Sequence, residues 1–180
     1  LNKRITIGLM VALLMGLLFM TWPTSAQQET ITFNKDLPTI LMGEMWFAVP
    51  GGPKVPFPPG TAPQNILTIA GAASGEIRFN VSNEGAAVLH EIRSPLFMAA
   101  KEVKVLLFDP NDKFVAEFEG TDLLEQELGV GYKAEFRIVL AGAVSKSFQK
   151  DPSTTMVFEI SCHVAGHYEG GMRALITLAQ

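Results

Sequence analysis

The chain has 180 residues, 48% of them hydrophobic and 18% charged, with 14 basic against 18 acidic side chains for a formal charge of −4. No basic patch or aromatic-basic stripe is present, which excludes a nucleic-acid binder, and a single cysteine excludes an internal disulfide. The length suits one domain with a proper core and requires no second.

Lys3 and Arg4 precede an apolar run from Ile5 to Met20, and Thr24-Ser25-Ala26 follows as a cleavage-like run of small residues. This reads as a secretory signal peptide over residues 1–26, with retention as an uncleaved membrane anchor as the alternative, because the run approaches spanning length. Without those residues 12 basic side chains face 18 acidic ones, a formal charge of −6 that weakly favours a basic docking partner. The polar stretch 27–38 reads as a mobile lead-in, and a single domain is expected over 39–180.

Thr39 to Val49 is an apolar strand candidate containing Trp46 and Phe47. Residues 50–63 hold six Pro and three Gly, a composition no helix or central strand survives, so they form a surface connection or an ordered flap. Ile66 to Ile69 is a short strand. Gly75 to Ser82 alternates Ile77, Phe79 and Val81 with polar residues, the period of a half-buried strand. Asn83-Glu84-Gly85 turns into a strand over Ala86 to Ile92 that carries His90. Val103–Phe108 and Lys113–Phe118 flank Asp109-Pro110-Asn111-Asp112 as a hairpin. Asp122 to Leu128 is the one stretch read as a short helix. Tyr132 to Leu140 alternates again, and Met156 to Cys162 and Met172 to Leu178 close the set. Seven to nine strands with regular turns and no long helical period predict an all-β, antiparallel Greek-key β-sandwich.

The chemistry concentrates near the C-terminus, where Cys162, His167 and Met172 stand at five-residue intervals. A thiolate, neutral imidazoles and a weak axial thioether are the ligand set of a blue-copper electron-transfer centre. Three His exist in the chain, and His90, beside an apolar run, supplies the missing imidazole. Alternation places Phe158, Ile160 and Cys162 on one strand face and turns His163 to the other. Gly166 and Gly170-Gly171 free the backbone to swing His167 and Met172 back to one point. A free thiol in an exported protein also calls for a role, and metal ligation is one.

Taken singly each residue has a bland reading: a buried Cys, a core Met and a structural His are all common. Their joint spacing reverses that balance. Met42 and Met45 beside Glu44 read as core packing near Trp46 before they read as a copper-pickup site, and zinc is a poorer occupant because thioether is not among its usual ligands.

On these residues the chain resembles the cupredoxins, and the Cys-x4-His-x4-Met spacing looks most like the rusticyanin type. The resemblance runs from about Thr39 to the C-terminus. It implies metal ligands at His90, Cys162, His167 and Met172, one copper ion cycling between Cu(I) and Cu(II), and a non-enzymatic, exported and periplasmic electron carrier whose partner is a cytochrome or an oxidase. It also implies that the His167 edge surfaces among Val164, Ala165, Pro95 and Leu96. Two departures stand out. Glu91 follows the upstream His, and the His90 to Cys162 separation of 72 residues implies an insertion, over 91–155, that would contain the short helix. Ser161 before the Cys and the shortage of His exclude the trinuclear cluster of a multicopper oxidase. The alternative is a copper chaperone or resistance protein using the same pocket, and the remote one is a copper-free interaction sandwich.

Overall fold

The computed structural model describes residues 30–54, 57–121 and 123–180, of which Thr32–Gln180 form a compact unit. The signal-peptide reading of residues 1–26 lies outside the described residues.

Among the described residues eleven strands build two facing sheets. They are β1 (Thr39–Gly43), β2 (Trp46–Ala48), β3 (Asn65–Ile69), β4 (Glu76–Asn83), β5 (His90–Arg93), β6 (Ala100–Phe108), β7 (Phe114–Gly120), β8 (Glu125–Leu128), β9 (Lys133–Leu140), β10 (Met156–Ser161) and β11 (Arg173–Leu178). One sheet runs β2-β1-β4-β9-β6-β7 and the other β3-β11-β10-β5-β8. Two helices, α1 (Pro95–Met98) and α2 (Gly142–Lys150), join strands of the two sheets. The sandwich expectation holds, but the sheets are mixed: β1 pairs with β4, and β3 with β11, in parallel. Both parallel pairs join an early strand to one with an intervening connection, which a strand-by-strand reading cannot orient.

Alternation places the core as expected. Ile77, Phe79 and Val81 of β4 and Ala134, Phe136 and Ile138 of β9 point inward and are buried. Phe79 sits opposite Phe136 in register, and the two rings stack at 5.1 Å, with Phe97 of α1 stacked on Phe136 from 5.4 Å. Ile92, Ile160, Ala174, Ile176 and Leu178 close the core from the second sheet. Burying a large apolar side chain is worth about 1.5–3 kcal/mol, so this stack anchors the scaffold beneath β5 and β10.

Several expectations are corrected. The single strand over Thr39–Val49 is a hairpin, β1 and β2, turned at Glu44-Met45, with Met45 in the left-handed region at φ 65°. The lead-in is anchored from Thr32 onward: Thr32 bridges to Lys113, Phe33 packs edge-on to Phe108 at 5.2 Å, and Asn80 donates to the Asn34 carbonyl at 2.7 Å. The stretch read as a helix contains β8, since Glu125–Leu128 pairs with all of β5 and buries Leu128; so short a helix would also lack the length to offset its nucleus. The helices within 91–155 are instead the one-turn α1 and the longer α2. The inward apolar face of α2 amounts to Val144 and Phe148 one turn apart, too sparse a pattern to read as a helical period. Nor is 91–155 an appended insertion: β6 and β9 are central strands of the first sheet, so the long separation between His90 and Cys162 is filled by core.

Candidate metal centre

β5 and β10 carry the two halves of the site. They share a single paired position, Ser161 with Arg93, and then part. Ser94 pins the lower side, its hydroxyl donating to the Glu159 carbonyl at 2.7 Å. Beyond that pair the strands open, with His90 the first residue of β5, so the strand expected over Ala86 to Ile92 begins only at His90, and Cys162 just past the end of β10. The gap is bridged by the Glu91 N–H, which donates to the Cys162 sulfur at 3.4 Å.

The loop from Cys162 to Met172 closes on itself through its own backbone. Cys162 N–H donates to the Met172 carbonyl at 3.1 Å, Met172 N–H to the His167 carbonyl at 2.8 Å, and His167 N–H to the Val164 carbonyl at 2.9 Å. Gly166 and Gly171 take left-handed φ values of 83° and 96°. Gly170 does not, and its role is space: a Cβ there would lie 1.6 Å from the Met45 methyl. A Cβ on Gly171 would lie 1.7 Å from the Phe57 carbonyl oxygen, so the Pro-rich segment packs directly on the loop.

The result is a tight donor cluster. The Cys162 sulfur is 3.4 Å from His167 Nδ1 and 4.0 Å from His90 Nδ1, and the three donor atoms lie within 4.8 Å of one another. The two imidazoles are 5.0 Å apart, centre to centre, tilted by 40°. His90, Cys162 and Met172 are 0% exposed, and His167 is half-buried. His163 is exposed and outside the cluster, on the other side of the chain: its Nε2 is 3.0 Å from the Ser161 hydroxyl and its ring 4.9 Å from that of Tyr168.

The electrostatics fit a soft cation. Burial, and next to it the imidazole of His167, push His90 below the ordinary imidazole range, against the pull of Glu44; a neutral imidazole is a ligand-competent one. Burial pushes the Cys162 thiol up, opposed by the N–H groups of Glu91 and Val164. A bound metal would hold the sulfur as thiolate. Burial, reinforced by Glu125, also raises the Glu91 carboxyl. One buried thiol, two imidazoles presenting Nδ1 and an adjoining buried thioether form a donor set suited to one copper ion.

Part of the expected surface is corrected. Leu96 is 0% exposed, in the core, and Pro95 lines a cavity with His163 and Tyr168. The exposed apolar residues that lead into His90 are Ala86, Ala87, Val88 and Leu89, and Asn83 Nδ2 ties this segment to β8 by donating to the carbonyls of both Val88 and Leu128. Met42 is core, whereas Met45 and Glu44 reach the site loops. Glu44, Asn83 and Gly85 were not singled out as site residues. The signal for Glu44 lies 46 residues upstream of His90 and carries no motif.

No protein-family model and no curated protein sequence matches the chain. Solved structures do. A multicopper oxidase from Campylobacter jejuni is 12% identical over 79% of this chain and 30% of its own, with a TM-score of 0.51. A variant of the Aquifex aeolicus multicopper oxidase is 13% identical over 84% and 32%, at 0.46, and auracyanin from Roseiflexus castenholzii is 14% identical over 79% and 95%, at 0.37. The chain thus spans about a third of the length of the oxidases it matches. Of these three the Campylobacter jejuni likeness exceeds 0.5, and at such low identity it concerns the fold alone. The chain has the cupredoxin-like β-sandwich fold, with a donor set suited to one copper ion at the end where β5 and β10 part.

Proposed function

We propose that the protein is an exported carrier of single electrons, with copper held by His90, Cys162, His167 and Met172. The observation that carries this reading is the convergence of the Cys162 sulfur with Nδ1 of two imidazoles, 3.4 and 4.0 Å away, from segments 72 residues apart. Copper supplies a one-electron couple at such a site. The protein's own groups do the rest. The Glu91 N–H steadies the sulfur, and the Ile160 and Ile92 side chains below it exclude water. Half-buried His167 is the least covered of the four and so the natural route to the surface.

All four donors come from the protein, and no ligand position is left for a substrate, which favours a carrier over an enzyme. The partner is a redox protein such as a cytochrome or an oxidase, met through a small transient contact at the His167 edge, beside half-buried Val164 and exposed Ala165. The signal-like residues 1–26 support export to the periplasm, and among the described residues no helix is long and apolar enough to cross a membrane.

An optical and redox titration of the copper-loaded protein tests the reading. An electron carrier shows an intense visible band that bleaches on reduction and returns on oxidation, with copper retained throughout. Release of Cu(I) to a competing protein or chelator on reduction marks a copper carrier instead, and failure to bind copper at all leaves an interaction sandwich.

A further inference from the structure

The turn between β1 and β2 touches both halves of the site. Met45 lies on Gly170 of the Cys162 loop. Glu44 reaches the other half: its Oε1 accepts from the N–H groups of Ala86 at 2.9 Å and Ala87 at 3.1 Å, clamping the segment that leads into His90.

The same oxygen belongs to a ring of three polar atoms around Gly85. A Cβ at Gly85 would lie 2.8 Å from His90 Nε2, 3.0 Å from Asn83 Oδ1 and 3.1 Å from Glu44 Oε1. Gly85 is buried and has an ordinary φ, so what the position demands is the absence of a side chain. Asn83 Oδ1 is already engaged by the Gly85 N–H at 2.8 Å. His90 Nε2 is buried with no hydrogen-bond partner in the described structure.

An imidazole that offers Nδ1 to a metal must carry its proton on Nε2. That N–H needs an acceptor, and metal-bound imidazoles usually find one in a carboxylate, a carbonyl or water. Here two acceptors share the Gly85 cradle with Nε2. One is the neutral Asn83 Oδ1, with one N–H on it, and the other is Glu44 Oε1, which carries the two amide N–H groups and belongs to a charged carboxylate, the stronger acceptor for an imidazole N–H.

We propose that Glu44 is the positioning residue of the site, acting through His90: its carboxylate keeps the imidazole proton on Nε2, directs Nδ1 toward Cys162 and, by its charge, favours Cu(II) over Cu(I). The proposal rests on His90 being a copper ligand, and Gly85 is the space that permits the approach. Glu44 is thereby both clamp and tuner, two roles that substitution separates. Glu44→Gln keeps one side-chain oxygen, whose two acceptor sites serve the two amides, but removes the charge. Glu44→Ala removes both.

The experiment has a metal-free arm and a copper-loaded arm, both on the whole chain. In the metal-free protein, 15N shifts of the His90 ring should show the Nε2–H form in the wild type and a mixture of tautomers in Glu44→Ala. In the loaded protein, Glu44→Gln should lose about tenfold in affinity for Cu(II) relative to Cu(I), an upward shift of about 59 mV for one electron. Glu44→Ala should lose about 10- to 100-fold in copper affinity. Glu117→Gln, the same charge removed on β7, is the control and should leave the potential in place. An unchanged potential in Glu44→Gln with the Ala86 and Ala87 amides still protected from exchange reduces Glu44 to a loop clamp and overturns the proposal, as does a wild-type tautomer in Glu44→Ala. If the wild type takes up no copper, the functional reading falls, and the tautomer in the metal-free protein still decides the role of Glu44.

Discussion

The two halves of the candidate centre are built in opposite ways. Cys162, His167 and Met172 are set by one short loop whose hydrogen bonds run among its own residues, from Cys162 to Met172, Met172 to His167 and His167 to Val164. His90 is set across the fold: Glu44, from the β1–β2 turn, meets Asn83 around Gly85, and Leu128 lies opposite His90 on β8. The loop half follows from spacing, and the His90 half depends on how two sheets and a hairpin meet. Damage to the first should act on the metal bond itself, whereas damage to the second should act through geometry.

The largest expected effect is on the loop side. Cys162→Ser removes the thiolate and should erase the intense visible band of the copper-loaded protein, read by absorption; an unchanged spectrum in that variant would sink the electron-transfer reading. Next comes the His90 side. His90→Ala should abolish or strongly alter the band, while His163→Ala, at an exposed ring outside the cluster, should leave it nearly intact. The reverse result breaks the assignment.

Two glycines sharpen the comparison. Gly171→Ala meets both a left-handed φ, worth about 1–3 kcal/mol of strain, and the Phe57 backbone at 1.7 Å, so chemical denaturation should show a clear loss of stability in metal-free protein. Gly85→Ala instead pushes on His90 Nε2 and should cost about 1–3 kcal/mol, the range for overpacking. Its signature is disturbance at His90, measured as weaker copper binding out of proportion to the loss of stability.

Met172→Gln should keep copper and lower the potential, because a harder oxygen donor favours Cu(II); protein-film voltammetry reads the shift, and an unmoved potential makes Met172 core alone. The smallest effect lies away from both halves. Hydrogen bonds from Lys133, then Lys35, hold the Asp112 carboxyl below its ordinary value of 3.8. A depressed folded-state value means that the stabilisation is whole above about pH 3.8 and fades as pH falls through the lower folded-state value. Asp112→Asn should therefore lower stability at neutral pH and flatten the acid limb of the denaturation profile, with the copper spectrum at neutral pH unchanged.

What could be read from residues alone follows the same division. The period-two runs of β4 and β9 and the Asp109–Asp112 hairpin were legible because an alternating pattern has one way to bury its apolar face. The Cys-x4-His-x4-Met spacing was legible for a related reason: five-residue steps with glycines between them bring donors together within one loop. Gly170 was misread as a turn residue, since only the structure shows Met45 lying on it. α2 escaped because two inward residues make no period, and the hairpin within Thr39–Val49 because its turn residues, Glu44 and Met45, carry no turn chemistry.

By itself the sequence determined the class of the fold, the core faces of the main strands and the donor types available for copper, because each is a matter of local pattern and side-chain chemistry. The tertiary structure decided the parallel pairing of β1 with β4 and β3 with β11, the opening between β5 and β10, and the meeting of Glu44, Asn83 and Gly85 around His90. Those depend on which distant backbones come into contact, and the stability of such contacts comes from packing summed over the whole sandwich, which no single stretch of chain encodes.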